Sequence, residues 1–205
     1  MDQGVTDLQR IGLKFFFEDT GEAPRKDTAP VRPRDFVPVF HGWIQTHAVD
    51  GLLIDVADYE HLAEGPSVML IAHHGNYSID LRDHRMGLLY VRKQAVEGSL
   101  PQRLLSLCRV VLEAGRLLEH EPRLGGRVKL RGDEVQLIAN DRLLAPNAAE
   151  TLTALRPALS EFLNQLYDGA ECNVARDPDP RERLTLTIRA PHSVPIQTLL
   201  DRVAG

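Results

Sequence analysis

The sequence predicts an α+β fold, in which helices pack on one mostly antiparallel sheet. Short apolar runs bounded by turn-forming residues recur in the first half of the chain, and longer runs with helical spacing dominate the second half. From residue 86 to 190 the predicted order is strand, helix, strand, strand, helix, strand, the split βαβ order of a ferredoxin-like sandwich. We expect residues 1–205 to form a single domain, with possible sub-lobes at 1–98 and 99–205.

The first predicted element is a buried strand, and an irregular arm follows it. Residues 13–18 are largely aromatic and bounded by polar turn formers, which is typical of a strand packed on both faces. Residues 19–34 hold three prolines, too many for regular structure, together with four basic residues: Arg25, Lys26, Arg32 and Arg34. We expect this arm to be a mobile surface strap. The alternative is that it contacts an anionic ligand or docks on an acidic partner.

One helix and three strands are predicted next. Asp35 begins a helix whose apolar residues recur at steps of three and four. Apolar runs at 52–56, 68–74 and 86–92 are bounded by turn formers and predict strands.

A hairpin is predicted at Gly75-Asn76, because glycine suits the first position of a type II′ turn. This turn would pair His73 with Ser78 and place Asp80 on the same face. The opposite face of the hairpin would then be apolar.

The second half of the chain predicts longer helices. Ser99 caps the first of them, and Asn147 resembles the first residue of a capping box at the next. Between them, a Gly-Asp pair at 132–133 predicts a second hairpin over residues 127–139. A strand at 183–189 and a short helix after Ser193 complete the chain.

Composition excludes several classes of function. The apolar fraction of 43 % and charged fraction of 26 % are ordinary for a globular protein, and the net charge of −5 gives no basic face for nucleic acid. We expect neither a signal peptide nor a membrane span, because the first 20 residues are acidic and no apolar run is long enough. Cys108 and Cys172 form no disulfide framework. The expected location is therefore the cytoplasm.

Histidines and carboxylates concentrate in one part of the chain. Six of the eight histidines lie between residues 41 and 84, but their spacing matches no zinc or nucleophile motif. No nucleotide-binding loop is present either, so we expect no cofactor and no bound metal. The candidate polar site consists of five residues from this region: Asp58, His61, His73, Ser78 and Asp80.

Two functional hypotheses remain open. The leading one is a non-catalytic binding or assembly module that forms a homodimer or docks a protein partner through its sheet, with the histidine-rich hairpins as the recognition surface. The alternative is a small metal-dependent enzyme or small-ligand-binding protein that uses the histidine and aspartate cluster of residues 55–84. The alternative requires those side chains to converge on one point.

Four segments of residues 11–93 carry a resemblance: PVFHGWI at 38–44, LIDVADYEH at 53–61, Gly65-Pro66 and VMLI at 68–71. In these segments the chain resembles an uncharacterised group of bacterial proteins. This resemblance implies a bacterial, cytosolic origin and no particular activity.

Overall fold

An eight-stranded antiparallel sheet forms the centre of the computed structural model, which describes residues 4–18, 30–62 and 65–204. Its strands are β1 (Ile11–Phe17), β2 (Leu53–Asp58), β3 (Pro66–Ala72), β4 (Gly75–Asp80), β5 (Gly87–Arg92), β6 (Leu130–Ala139), β7 (Asn173–Arg176) and β8 (Thr185–Arg189). The four helices of the described ranges are α1 (Val37–Thr46), α2 (Leu100–Glu119), α3 (Ala149–Tyr167) and α4 (Ile196–Ala204). The strand order is β2-β3-β4-β5-β1-β6-β8-β7. The predicted α+β class and antiparallel sheet are confirmed.

Strand β1 lies inside the sheet, between β5 and β6, and is buried on both faces. Leu13 and Phe15 join the main hydrophobic core, to which α2 also contributes. Lys14 and Phe16 alternate with them and therefore lie on the opposite face of the sheet. The aromatic run of the sequence thus forms the doubly buried strand that it predicts.

Helix α2 begins where the sequence predicts. The amide of Ser99 donates to the side chain of Gln102, and the Ser99 hydroxyl accepts from the Gln102 amide, which completes a capping box. Asn147 does not cap α3. Its side-chain amide instead donates to the carbonyl oxygens of Asp177 and Asp179, so it fastens a loop. Within the described ranges, no helix is long and apolar enough to cross a membrane.

The ferredoxin-like order is not confirmed. Residues 130–139, predicted to belong to a hairpin, form the single strand β6, so two helices flank one strand rather than a pair. Gly132 is not a turn residue. A Cβ atom at this position would lie 1.7 Å from the carbonyl oxygen of Val194, so the glycine permits close packing of the segment that precedes α4.

The β3–β4 hairpin is present but in a different register. Leu70 pairs with Tyr77 and Val68 with Ile79, which leaves His73 and His74 as the turn. Gly75 is the first residue of β4, where a Cβ atom would lie 2.4 Å from the ring of Tyr90. The predicted pairing of His73 with Ser78 is therefore wrong.

Burial of Cys108 predicts a loss of stability at alkaline pH. This thiol is fully buried on α2, and burial raises its pKa above the ordinary value of 9.0. Its contribution to stability is therefore complete below pH 9 and is lost as the pH rises, because only the unfolded chain ionises. Between pH 9 and 10, ionisation of this thiol in the unfolded chain is expected to lower the free energy of unfolding by about 1 kcal/mol. In Cys108→Ala this contribution is absent, so the free energy of unfolding falls less over the same pH range.

Urea unfolding at pH 7, 9 and 10 measures this difference. Cys172→Ala is the matched control, because the Cys172 thiol is only partly buried and its removal changes the pH dependence less. Equal pH dependence in the wild type and Cys108→Ala would contradict the prediction.

Candidate functional site

The structure separates the residues of the predicted polar site. Asp58 ends β2, where its carboxylate accepts the amide hydrogen of Glu60 at 2.8 Å, and His61 is exposed just beyond it. His73 is also exposed. It lies at the other end of the β2–β3 pair, since its neighbour Ala72 is opposite Leu53, the first residue of β2. Five residues of extended strand place His73 about 17 Å from Asp58. Asp58 and His61 therefore do not converge with His73.

No group of three or more His, Cys, Asp or Glu side chains is placed to hold a metal ion within residues 4–18, 30–62 and 65–204. The predicted basic arm is described only in part. Arg25 and Lys26 lie outside the described residues, whereas Arg32 and Arg34 are exposed at its end. Arg34 donates to the carboxylate of Glu60 at 3.1 Å, which ties the end of the arm to the turn after β2.

Asp80 and Ser78 share the sheet face that carries Lys14, and Asp80 is bonded to this lysine. The Lys14 ammonium donates to an Asp80 carboxylate oxygen at 2.6 Å and to the carbonyl oxygens of Arg82 and Arg85 at 3.2 and 2.8 Å. All three of its donors are therefore used. Burial lowers the pKa of Lys14, and the charge of Asp80 opposes this effect.

Gly87 makes the contact between Lys14 and Asp80 geometrically possible. Strand β5 lies between β1 and β4, with Gly87 directly between Phe16 and Asp80. A Cβ atom on Gly87 would come within 3.0 Å of the Lys14 side chain and 2.5 Å of the Phe15 carbonyl oxygen. The glycine therefore leaves the space through which Lys14 crosses β5.

A second charged network lies nearby and is centred on Glu134. Arg85 donates two hydrogen bonds to its carboxylate at 2.9 and 2.7 Å, and Arg189 approaches at 3.0 Å. The Arg85 guanidinium also lies 3.8 Å from the centre of the Phe16 ring. These hydrogen bonds lower the pKa of Glu134. Because its groups satisfy one another, this network is a structural clamp rather than a binding site.

Apolar side chains are exposed along the edge of the sheet at β2. Of six large apolar residues that are exposed in the described ranges, four belong to this region: Leu52, Ile54, Tyr59 and Leu62. Among the described residues, strand β2 pairs with β3 alone, so its other side is an edge of the described sheet. The Asp55 carboxylate accepts the amide hydrogen of Val56 at 2.8 Å. Residues 48–62 contain aspartate and glutamate but no lysine or arginine.

A cleft of about 530 Å³ opens between α2 and the adjoining ends of β4 and β5. Tyr77 and Tyr90 form its inner wall, with 2 % and 4 % of their surface exposed and ring centres 4.6 Å apart. Trp43 packs edge-on against Tyr77 and fixes its ring. Neither tyrosine hydroxyl forms a hydrogen bond with any residue that the structure describes. Burial raises the pKa of both phenols.

Two buried arginines lie at this end of the sheet. Arg92 lines the cleft and donates to the carbonyl oxygen of Arg103 and the hydroxyl of Ser106, at 3.3 and 3.0 Å. Arg103 donates to the carbonyl oxygen of Thr6. Neither guanidinium forms an ion pair with a carboxylate of the described residues. Burial and the like charge of Arg103 lower the pKa of Arg92.

Sequence reasoning missed Lys14, Tyr90 and Arg92. Lys14 carries a weak signal, because a lysine inside a run of phenylalanines is predicted to be buried and therefore to need a partner. Arg92 carries none, since an arginine at the end of a strand is ordinarily exposed. Comparison with protein-family models and with curated proteins finds no match.

Removal of the Lys14 ammonium is expected to destabilise the fold strongly. Lys14→Met leaves the Asp80 carboxylate buried without its cation, which costs about 3–5 kcal/mol. The double variant Lys14→Met/Asp80→Leu removes both charges, and we expect it to be more stable than the single variant.

Urea unfolding of the two variants and of Lys129→Met tests this expectation. Lys129 is mostly exposed and approaches Glu18 at 3.6 Å, so its replacement changes stability by less than about 1 kcal/mol. A single variant at least as stable as the double variant would show that the pair carries no such coupling.

Proposed function

We propose that this protein is a cytoplasmic, non-catalytic binding module that docks an extended segment of a protein partner along the edge of β2. The observation that carries the proposal is the concentration of exposed apolar side chains at residues 52–62. Exposed apolar patches beside a strand edge are typical of protein interaction sites.

Strand addition explains how such an edge binds a partner. An added strand gains main-chain hydrogen bonds from the unpaired side of β2, and alternate side chains of the partner contact the sheet surface. Ile54 supplies an apolar contact in the middle of this edge. In the free protein the Val56 amide donates a hydrogen bond to the Asp55 carboxylate. An incoming strand would replace this bond with a main-chain hydrogen bond from the Val56 amide to one of its own carbonyl oxygens. Such local cover is a common protection of edges against unspecific pairing.

Charge favours a basic partner over a second copy of this chain. Asp55 and Asp58 are exposed on β2, and no lysine or arginine occurs in residues 48–62. Two copies paired antiparallel would bring four carboxylates together, and like charges on facing strands destabilise pairing. We therefore propose a partner segment in which apolar residues alternate with lysine or arginine. The exposed His61 and His73 would flank the two ends of this segment.

Selection from an unbiased peptide display library tests the proposed function. The wild-type protein is expected to enrich peptides in which apolar and basic residues alternate. Ile54→Lys is expected to weaken binding of these peptides at least tenfold, because it removes the apolar contact and adds a like charge. Leu143→Lys is the matched control, since Leu143 is 98 % exposed in a loop away from β2.

The outcomes distinguish a basic peptide from a second copy of this chain as the partner of the β2 edge. Enrichment of acidic peptides, or equal binding by wild type and Ile54→Lys, would contradict the proposal. Sedimentation of the purified protein tests the homodimer: a dimer that Ile54→Lys converts to monomer would assign the edge to a second copy. Backbone amide shifts confined to residues 52–59 on peptide addition would support the strand-addition geometry.

A further inference from the structure

We infer that the cleft between α2 and the ends of β4 and β5 is a binding site for a small organic molecule with one oxyanion group, a carboxylate or a phosphate monoester. The site is separate from the β2 edge and does not depend on the function proposed for that edge. Its volume of about 530 Å³ lies within the range of small-molecule sites.

The first support is a pair of tyrosine hydroxyl groups that have no partner among the described residues and belong to side chains lining the cleft. Tyr77 and Tyr90 are almost completely buried, yet neither hydroxyl bonds to a described residue, and both side chains line the cleft. Because both side chains line the cleft, their hydroxyls are accessible to a ligand there. Two phenol donors side by side at the wall of one cleft are suited to the two oxygens of a carboxylate.

The second support is the positive charge beside these hydroxyls. Arg92 is 9 % exposed and lines the cleft, and its described acceptors are a carbonyl oxygen and a hydroxyl, both uncharged. A buried guanidinium normally pairs with an anion, because desolvation of an unpaired charge is costly. Arg116 lines the outer rim and forms no ion pair with a described carboxylate. An oxyanion from solution would supply the missing counterion.

The remaining lining residues restrict the ligand. Glu113 and Asp50 also line the cleft, and Arg109 already binds Glu113 at 2.9 Å. These carboxylates repel a second anionic group on the ligand, so the cleft favours a ligand with a single oxyanion group. Val110 and Leu117 give the outer part of the cleft an apolar wall for the body of the ligand.

Calorimetric titration with four matched probes tests the site: phenylacetate, phenyl phosphate, phenethylamine and benzyl alcohol. Phenylacetate and phenyl phosphate are expected to bind more tightly than the other two, and their relative affinities identify the preferred oxyanion. Tyr77→Phe and Tyr90→Phe are each expected to weaken this binding about tenfold, because each removes one donor to a charged group. These variants should remain folded, since neither hydroxyl has a protein partner to lose.

Tyr167→Phe is the control, because Tyr167 is equally buried with an unpartnered hydroxyl but does not line the cleft. Its binding of the oxyanion probes is expected to match the wild type, as is that of Ile54→Lys. Preference for phenethylamine would overturn the inference, as would no binding of either oxyanion at millimolar concentration. Equal loss of affinity in Tyr167→Phe and Tyr90→Phe would overturn it too.

Discussion

The buried ion pair between Lys14 and Asp80 is the constraint on which the centre of the sheet depends. The Lys14 side chain passes over strand β5 to reach Asp80, and this path requires a glycine at position 87. Its ammonium also donates to two carbonyl oxygens of the turn between β4 and β5, so the pair connects β1 to β4 and to this turn. Arg85 leaves this turn and reaches Glu134, which extends the network across β1 to β6. Four neighbouring strands are thereby linked on the face opposite the helices.

The two faces of the sheet are covered in different ways, and the candidate sites lie at the margins of the sheet. One face carries the core under the helices, and the other carries charged groups that form ion pairs with one another. The margins have neither kind of cover in the described residues. Strand β2 has a described partner strand on one side only, and the cleft lies where α2 passes the ends of β4 and β5. The candidate sites therefore lie where the sheet-forming interactions end.

The sequence predicts the elements of this fold better than their pairing. The aromatic run of β1 and the Ser99 cap of α2 are local patterns, and both have the predicted structure. Gly75 and Gly132 suggest turns, but each makes room for a group distant in sequence, the Tyr90 ring or the Val194 carbonyl. Steric demands of this kind leave no local pattern. The mistaken register of the β3–β4 hairpin and the mistaken hairpin at 127–139 both follow from this difference.

The candidate sites were harder to predict for a related reason. The concentration of histidines includes the two that flank the β2 edge, His61 and His73, but these side chains do not converge on one point. What distinguishes the candidate binding site from the structural network here is that its unpartnered polar groups line an open cleft. Lys14 uses every donor within the chain, whereas the hydroxyls of Tyr77 and Tyr90 bond to no described residue. Because partners are set by the fold, only the structure separates the satisfied groups from those available to a ligand.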